Sequence, residues 1–111
     1  NIGEDRGKLL ENAVFMQLRS AGSEIFFHKG KKECDFIRLV PGKGPEACQV
    51  AYDLSSPDTR KRELDGLLDA CGSLGLAEGT IITISEEFEE KAGGVRLKAV
   101  PFYKWALSAV A

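Results

Sequence analysis

Gln49-Val50-Ala51-Tyr52-Asp53-Leu54-Ser55-Ser56-Pro57-Asp58-Thr59 is where the fold is decided. The first half alternates, with Gln49, Ala51 and Asp53 on one side and Val50 and Tyr52 on the other, the period of a strand. The second half is a helix start, with Ser as N-cap and Pro in the first turn. Leu64, Leu67, Leu68, Cys71 and Leu74 then recur three and four apart, so a helix follows the strand, and Gly72 and Gly75 help end it. Thr80-Ile-Ile-Thr-Ile84 is a compact β-rich run beyond the helix. Strand, helix, strand is a crossover, and a crossover returns a parallel strand.

Working outward, the front of the chain reads as a helix over 5–21, with Leu10, Val14, Leu18 and Ala21 on one stripe and Gly22 as its stop. Glu24–His28, Glu33–Val40 and 47–54 read as three strands joined by short turns, one of them Pro41-Gly-Lys-Gly-Pro45. These should form an antiparallel meander. The acidic stretch and Gly93-Gly94 read as a loop, Val95–Val100 as a last strand, and 101–110 as a terminal helix carrying Phe102, Trp105 and Leu107. The expected order is helix, three strands, helix, strand, strand, helix: an α/β domain with a small mixed sheet flanked by helices.

The 111 residues suit one domain, 1–111, with a core that needs no disulfide or metal staple. Because the chain starts at Asn1 and enters a helix at once, it reads as a piece of a longer protein. No apolar run is long enough for a membrane span, and no secretion leader is visible. Cys34, Cys48 and Cys71 form no CxxC pair and read as small core residues, so zinc is not expected and the cytoplasm is the expected compartment. The net charge of −2 argues against a generally basic nucleic-acid binder. The charge is patchy, with basic clusters at Lys29, Lys31, Lys32 and at Arg60, Lys61, Arg62, and an acidic run at Glu86, Glu87, Glu89, Glu90. A solvated loop or helix face is the favoured reading of each cluster.

Three oxygen-bearing residues stand out. Glu11 falls on the helix arc of Val14, Phe15 and Leu18, where a carboxylate needs a cation, hydrogen-bond donors or a metal. Asp35 sits inside a strand, where Asp is disfavoured. Gln49 could lend an amide oxygen to a metal. Each has a bland reading: a structural Glu, an outward-facing Asp, a solvent-exposed Gln on an edge strand. Together they offer oxygens from one helix and two adjacent strands, the donor type that hard Mg²⁺ takes for phosphodiester hydrolysis. His28, the only histidine, reads as a strand-end residue. Trp105 reads as a core anchor or an interface plug. No G-x-x-x-x-G-K-[ST] occurs, so the chain carries no ATP site of that type.

Gly7-Lys-Leu-Leu-Glu11-Asn12 with Val14-Phe15 and Leu18, Glu33-Cys-Asp35-Phe36, Gln49-Val50-Ala51-Tyr52-Asp53-Leu54, Thr59-Arg-Lys-Arg-Glu63 and Pro101-Phe-Tyr-Lys-Trp105 form an ordered series of motifs. The series resembles the C-terminal domain of a family of prokaryotic AAA+-type ATPases of unassigned function, within the PD-(D/E)XK restriction-endonuclease-like superfamily. The resemblance implies an αβββαβ core and a helix Glu, a strand Asp and a Glu-x-Lys motif. Glu11 matches the first, Asp35 the second, and Gln49 stands in place of the motif Glu. The Lys position is Ala51, so the cation that positions the attacking water is missing from its strand. Lys61, beside Arg60 and Arg62, is the nearest candidate for a migrated cation; the alternative is a surface pair with Asp65 at i,i+4. The implied function is a degenerate, Mg²⁺-dependent nuclease-like domain that binds or cleaves DNA, with its ATP site in a preceding ATPase domain. A non-catalytic accessory or protein-interaction domain of the same ATPase is the alternative.

Overall fold

In the computed structural model the backbone is described for residues 2–29, 33–40 and 42–110, and the side chains for 3–26, 36–39 and 42–108. Helix α1 spans Ile2–Ser20, followed by β1 Glu24–Lys29, β2 Glu33–Val40 and β3 Gly44–Val50. Helix α2 spans Pro57–Leu74, then come β4 Glu78–Thr83, β5 Phe88–Ala92, β6 Val95–Pro101 and α3 Phe102–Val110. The six strands form one sheet in the order β1-β2-β3-β4-β6-β5. The first three pair antiparallel, and β3 pairs parallel with β4 after the α2 crossover. β4 runs parallel to β6, which is edged by antiparallel β5. The mixed sheet and the αβββαβ order agree with the sequence reading.

Each sheet face has its own core. Leu10, Val14 and Leu18, one helical stripe, seat α1 on Phe36, Cys48, Val50 and Ile82, and Trp105 brings α3 onto the same face. On the other face Leu67, Ala70 and Cys71 of α2 pack over Ile37, Ala47, Ile81 and Leu97. Alternation along β3 divides the two cores, Cys48 and Val50 going to α1 and Ala47 to α2. Phe102 and Trp105 sit ring to ring at 6.0 Å, so Trp105 is a core anchor.

The ends of α2 follow from local chemistry. Ser56 is the N-cap, with its hydroxyl 3.5 Å from the Thr59 amide, and Pro57 opens the helix. Gly75 closes it in the left-handed region at φ 67°, and the Leu76 amide bonds back to the Cys71 carbonyl. Beneath α2, Gly79 is required for space: a Cβ there would lie 2.7 Å from Cys71 Sγ and 2.8 Å from Leu67.

One expectation is overturned. The acidic stretch before Gly93 is not a loop: Phe88–Ala92 is the edge strand β5. Gly93 and Gly94, at φ 55° and 79°, make the two-residue hairpin turn into β6. Glu residues have low strand propensity, but β6 places a cation, Lys98, directly across from Glu89. The acidic run is shared among four partners. Glu86 accepts from the Leu54 amide at 2.7 Å, and Glu87 accepts from Lys104 at 2.9 Å. Glu89 lies 4.0 Å from Arg96, and Glu90 pairs with Arg60.

β3 is also shorter than expected, ending at Val50, although the Ala51 amide still donates to the Ile82 carbonyl at 3.0 Å. Cys48 and Cys71 are buried free thiols, as the core reading expects. Cys34, His28 and Lys29 have side chains outside the described residues, and Lys31 and Lys32 lie outside them altogether. Among the described residues no helix is long and apolar enough to cross a membrane.

Candidate functional site

Where β3 ends, the first turns of α1 and α2 border a cleft of about 390 Å³. Its walls include Arg6 and Gly7 from α1, Ala51, Tyr52 and Asp53 from the chain leaving β3, and Thr59 and Glu63 from α2. The cleft lies at the carboxyl end of the strand at which pairing changes from antiparallel to parallel. Diverging connections at such strand ends are where open α/β sheets form crevices for ligands.

Gln49 is the buried polar group behind this cleft, 4% exposed. Its Nε2 donates to Oε2 of Glu63, which is half-buried on α2. The sequence reading left Gln49 as solvent-exposed or as an oxygen donor; the structure makes it an interior amide tied to a carboxylate. Gln49 therefore engages the α2 side of the sheet.

Glu11 belongs to α1, which covers the opposite face. It is half-buried and not fully enclosed, one turn after Gly7 and one turn before Phe15. Gly7 lines the cleft and Phe15 packs on Phe36 of β2 with ring centroids 5.0 Å apart, so Glu11 rides the α1 edge running from the cleft to β2. Glu11 and Gln49 thus come to the inner strands from opposite faces. Asp35 lies on β2 next to Phe36, whose partner across the ladder is Cys48, the neighbour of Gln49. The Asp35 side chain is outside the described residues.

Lys61 does not line the cleft at β3. It is exposed and donates to Asp65 at 2.6 Å, and its pKa is raised first by that hydrogen bond and then by the Asp65 charge. The physical reason is helical phase: Lys61 and Glu63 are two residues apart, about 200° around α2. When Glu63 faces the β3 cleft, Lys61 points elsewhere. The rest of the basic cluster is also paired. Arg60 bonds Glu90 and lies over the Phe88 ring at 4.0 Å, and Arg62 is 3.8 Å from Glu63. The cation that does line the cleft is Arg6, with its guanidinium 6.0 Å from the Tyr52 ring centroid.

Asp53 accepts from the Ser55 amide at 2.8 Å, and that backbone hydrogen bond holds its carboxyl below the usual aspartate value. Glu86 clamps the same segment through the Leu54 amide, while Thr83 Oγ1 donates to the Glu86 carbonyl at 2.7 Å. The Asp53–Ser56 connection is therefore fastened from β4.

Neither Arg6 nor Glu63, although Glu63 closes the Thr59–Glu63 motif, was singled out from the sequence as a site residue. Both carried a signal. Glu63 is one helical turn before Leu67, and Arg6 one turn before Leu10, so each continues a buried stripe onto the end of its helix. The donors at the β3 end are amide and carboxylate oxygens, the kind Mg²⁺ accepts. Among the described side chains, no three His, Cys, Asp or Glu residues cluster at metal-binding spacing.

No protein-family model matches the chain, and no solved structure matches it. It is similar to the uncharacterized protein MJ1544 of Methanocaldococcus jannaschii, 31% identical over 117 residues. That alignment takes in 97% of this chain and 26% of the archaeal protein, so the chain spans about a quarter of its relative's length.

Proposed function

We propose that this chain is a restriction-endonuclease-like domain of a longer ATPase, with a degenerate metal-dependent phosphodiesterase site that holds DNA. The observation that carries the reading is the cleft at the β3 end, lined by Arg6 and by Glu63, the carboxylate that holds the buried Gln49, which stands where the resemblance expects a strand carboxylate. An oxygen donor inside a strand with a cation nearby suits a phosphate-bearing ligand and a hard metal. The resemblance gives Mg²⁺ to Glu11, Asp35 and Gln49, but Glu11 and Gln49 approach the sheet from opposite faces and do not converge on one ion, so the metal centre is the degenerate part of the site. Ala51, only 8% exposed, provides no cation to steady an attacking water, which argues for holding DNA over cutting it.

The test pairs two assays on the same purified chain. DNA binding is measured against salt, and plasmid nicking is measured in Mg²⁺ and in Mn²⁺. Binding that weakens with salt and with Arg6→Ala, without nicking, is the expected outcome. Nicking abolished by Glu11→Ala makes the domain a working nuclease, and the absence of both binding and nicking retires the reading.

A second reading, an accessory domain that docks a protein, is favoured by one feature. On α1 Leu9 and Met16 are 68% and 71% exposed, and on α3 Tyr103 and Leu107 are 59% and 71% exposed. Exposed large apolar side chains on two helices that pack on the same sheet face suit a protein surface.

A further inference from the structure

Resting on the nuclease-like reading, we propose that the cleft at the β3 end and the apolar groove beside it bind single-stranded DNA, with a phosphate on Arg6 and the adjoining base against Tyr52. Arg6 and Tyr52 line the β3 cleft, and the same two side chains line a second depression of about 300 Å³ between α1 and α3. The rest of that groove is apolar, with Leu9 and Leu10 of α1, Ile84 beyond β4 and Phe102 of α3 in its wall. Leu9 and Leu10 stand three and four residues after Arg6, so one side of α1 carries first the cation and then the apolar surface. A wall that is part cationic and part aromatic thus joins a polar cleft to an apolar groove.

A nucleotide has the same division, a charged phosphate beside a flat base with apolar faces. Among the described residues Arg6 is ion-paired with no carboxylate. Its guanidinium stands 6.0 Å from the Tyr52 ring, looser than the 4.0 Å of Arg60 over Phe88. Arg6 is exposed, so it can turn from the ring to a phosphate. The carboxylates of the cleft come from other elements, Asp53 held by the Ser55 amide and Glu63 by Gln49. They leave one side, that of Arg6, for a phosphate, whereas a duplex would bring two rows of phosphates against them. An unpaired strand brings one row, and its bases are open to stacking on an aromatic face. At the low end of the about 300–1,000 Å³ that ligand pockets occupy, the groove takes one base and not a pair.

The experiment compares a short fluorescent single strand of mixed sequence with its duplex, by anisotropy at low salt. The proteins are the unaltered chain and Tyr52→Leu, Tyr52→Phe and Leu9→Gln. The single strand should bind more tightly than the duplex. Tyr52→Leu, which stays apolar and loses the ring, should weaken the single strand about tenfold and leave the duplex unchanged. Tyr52→Phe should keep most of the affinity. Leu9→Gln, at an exposed position in the groove wall, should also weaken the single strand. A duplex bound as tightly as the single strand overturns the proposal and leaves the DNA-binding reading standing, as does a single strand bound unchanged by Tyr52→Leu. If Tyr52→Leu does not fold, Leu9→Gln decides, and unchanged binding by it overturns the proposal. If the unaltered chain binds neither DNA, the nuclease-like reading fails and the proposal with it. A chain that sediments as a dimer and becomes a monomer in Leu9→Gln assigns the groove to a second copy, which also overturns it.

Discussion

Gln49 on β3 and Glu63 on α2 are joined side chain to side chain, amide to carboxylate, across the start of the crossover that makes the sheet mixed. This pairing ties the strand end to the helix that leaves it. A second carboxylate at the strand position would face the first at hydrogen-bond distance, and two such groups cannot both ionise cheaply.

Gln49→Glu should therefore destabilise the fold at neutral pH and recover in acid. One carboxyl of the pair will have its folded pKa raised above its unfolded value. Its ionised form opposes folding, so the loss is full above that raised pKa and fades as pH falls below it. Urea unfolding at pH 7 and pH 5 checks this: the difference between Gln49→Glu and the unaltered chain should shrink at pH 5.

Arg6 lines the β3 cleft, while the described basic residues of α2 are each set beside a carboxylate. Arg6→Ala should weaken DNA binding across sequences and lower the slope of log affinity against log salt by about 1, the effect of one lost phosphate contact. Lys61→Ala, by contrast, should leave that slope unchanged. Fluorescence anisotropy at several salt concentrations separates the two.

Gly79 has no room for a methyl group beneath α2, since Cys71 Sγ and Leu67 stand within 2.8 Å of where it would go. Gly79→Ala should cost about 1–3 kcal/mol, the range for overpacking a tight core. Adding Cys71→Ala removes one of the obstructing atoms and should return part of that loss in chemical denaturation.

Burial, followed by the nearby Glu78 charge, pushes the Cys71 thiol from an ordinary 9.0 to about 11. The folded chain then holds its proton more tightly than the unfolded chain. This contribution to stability is complete below about pH 9 and is lost as pH rises toward 11. Denaturation midpoints should fall over that window, and the fall should be smaller in Cys71→Ala.

Glu86 is the acceptor for the Leu54 amide, and Leu54 itself is 2% exposed. Glu86→Ala leaves that N–H without its carboxylate and should cost about 1–3 kcal/mol. Glu86→Gln keeps an acceptor oxygen and should cost less. Hydrogen exchange at the Leu54 amide should accelerate in the alanine variant ahead of the amides of β4.

The helices, the meander and the crossover follow from local residue patterns. Leu10, Val14 and Leu18 repeat with the helical period, and Ser56-Pro57 and Gly75 mark the ends of α2 through local backbone chemistry. The strand β5 was illegible because four of the residues from Glu86 to Glu90 are glutamates, and the cations that offset them, Lys98 across from Glu89 and Arg60 beside Glu90, come from distant parts of the chain. Tertiary structure alone decided the site. Which face of β3 takes Gln49, and whether Lys61 or Glu63 looks at the cleft, depend on how α2 is rotated on the sheet by Leu67, Ala70 and Cys71. That rotation is set by packing between residues far apart in the chain, and a two-residue difference in helical phase moves a side chain to the other side of the helix.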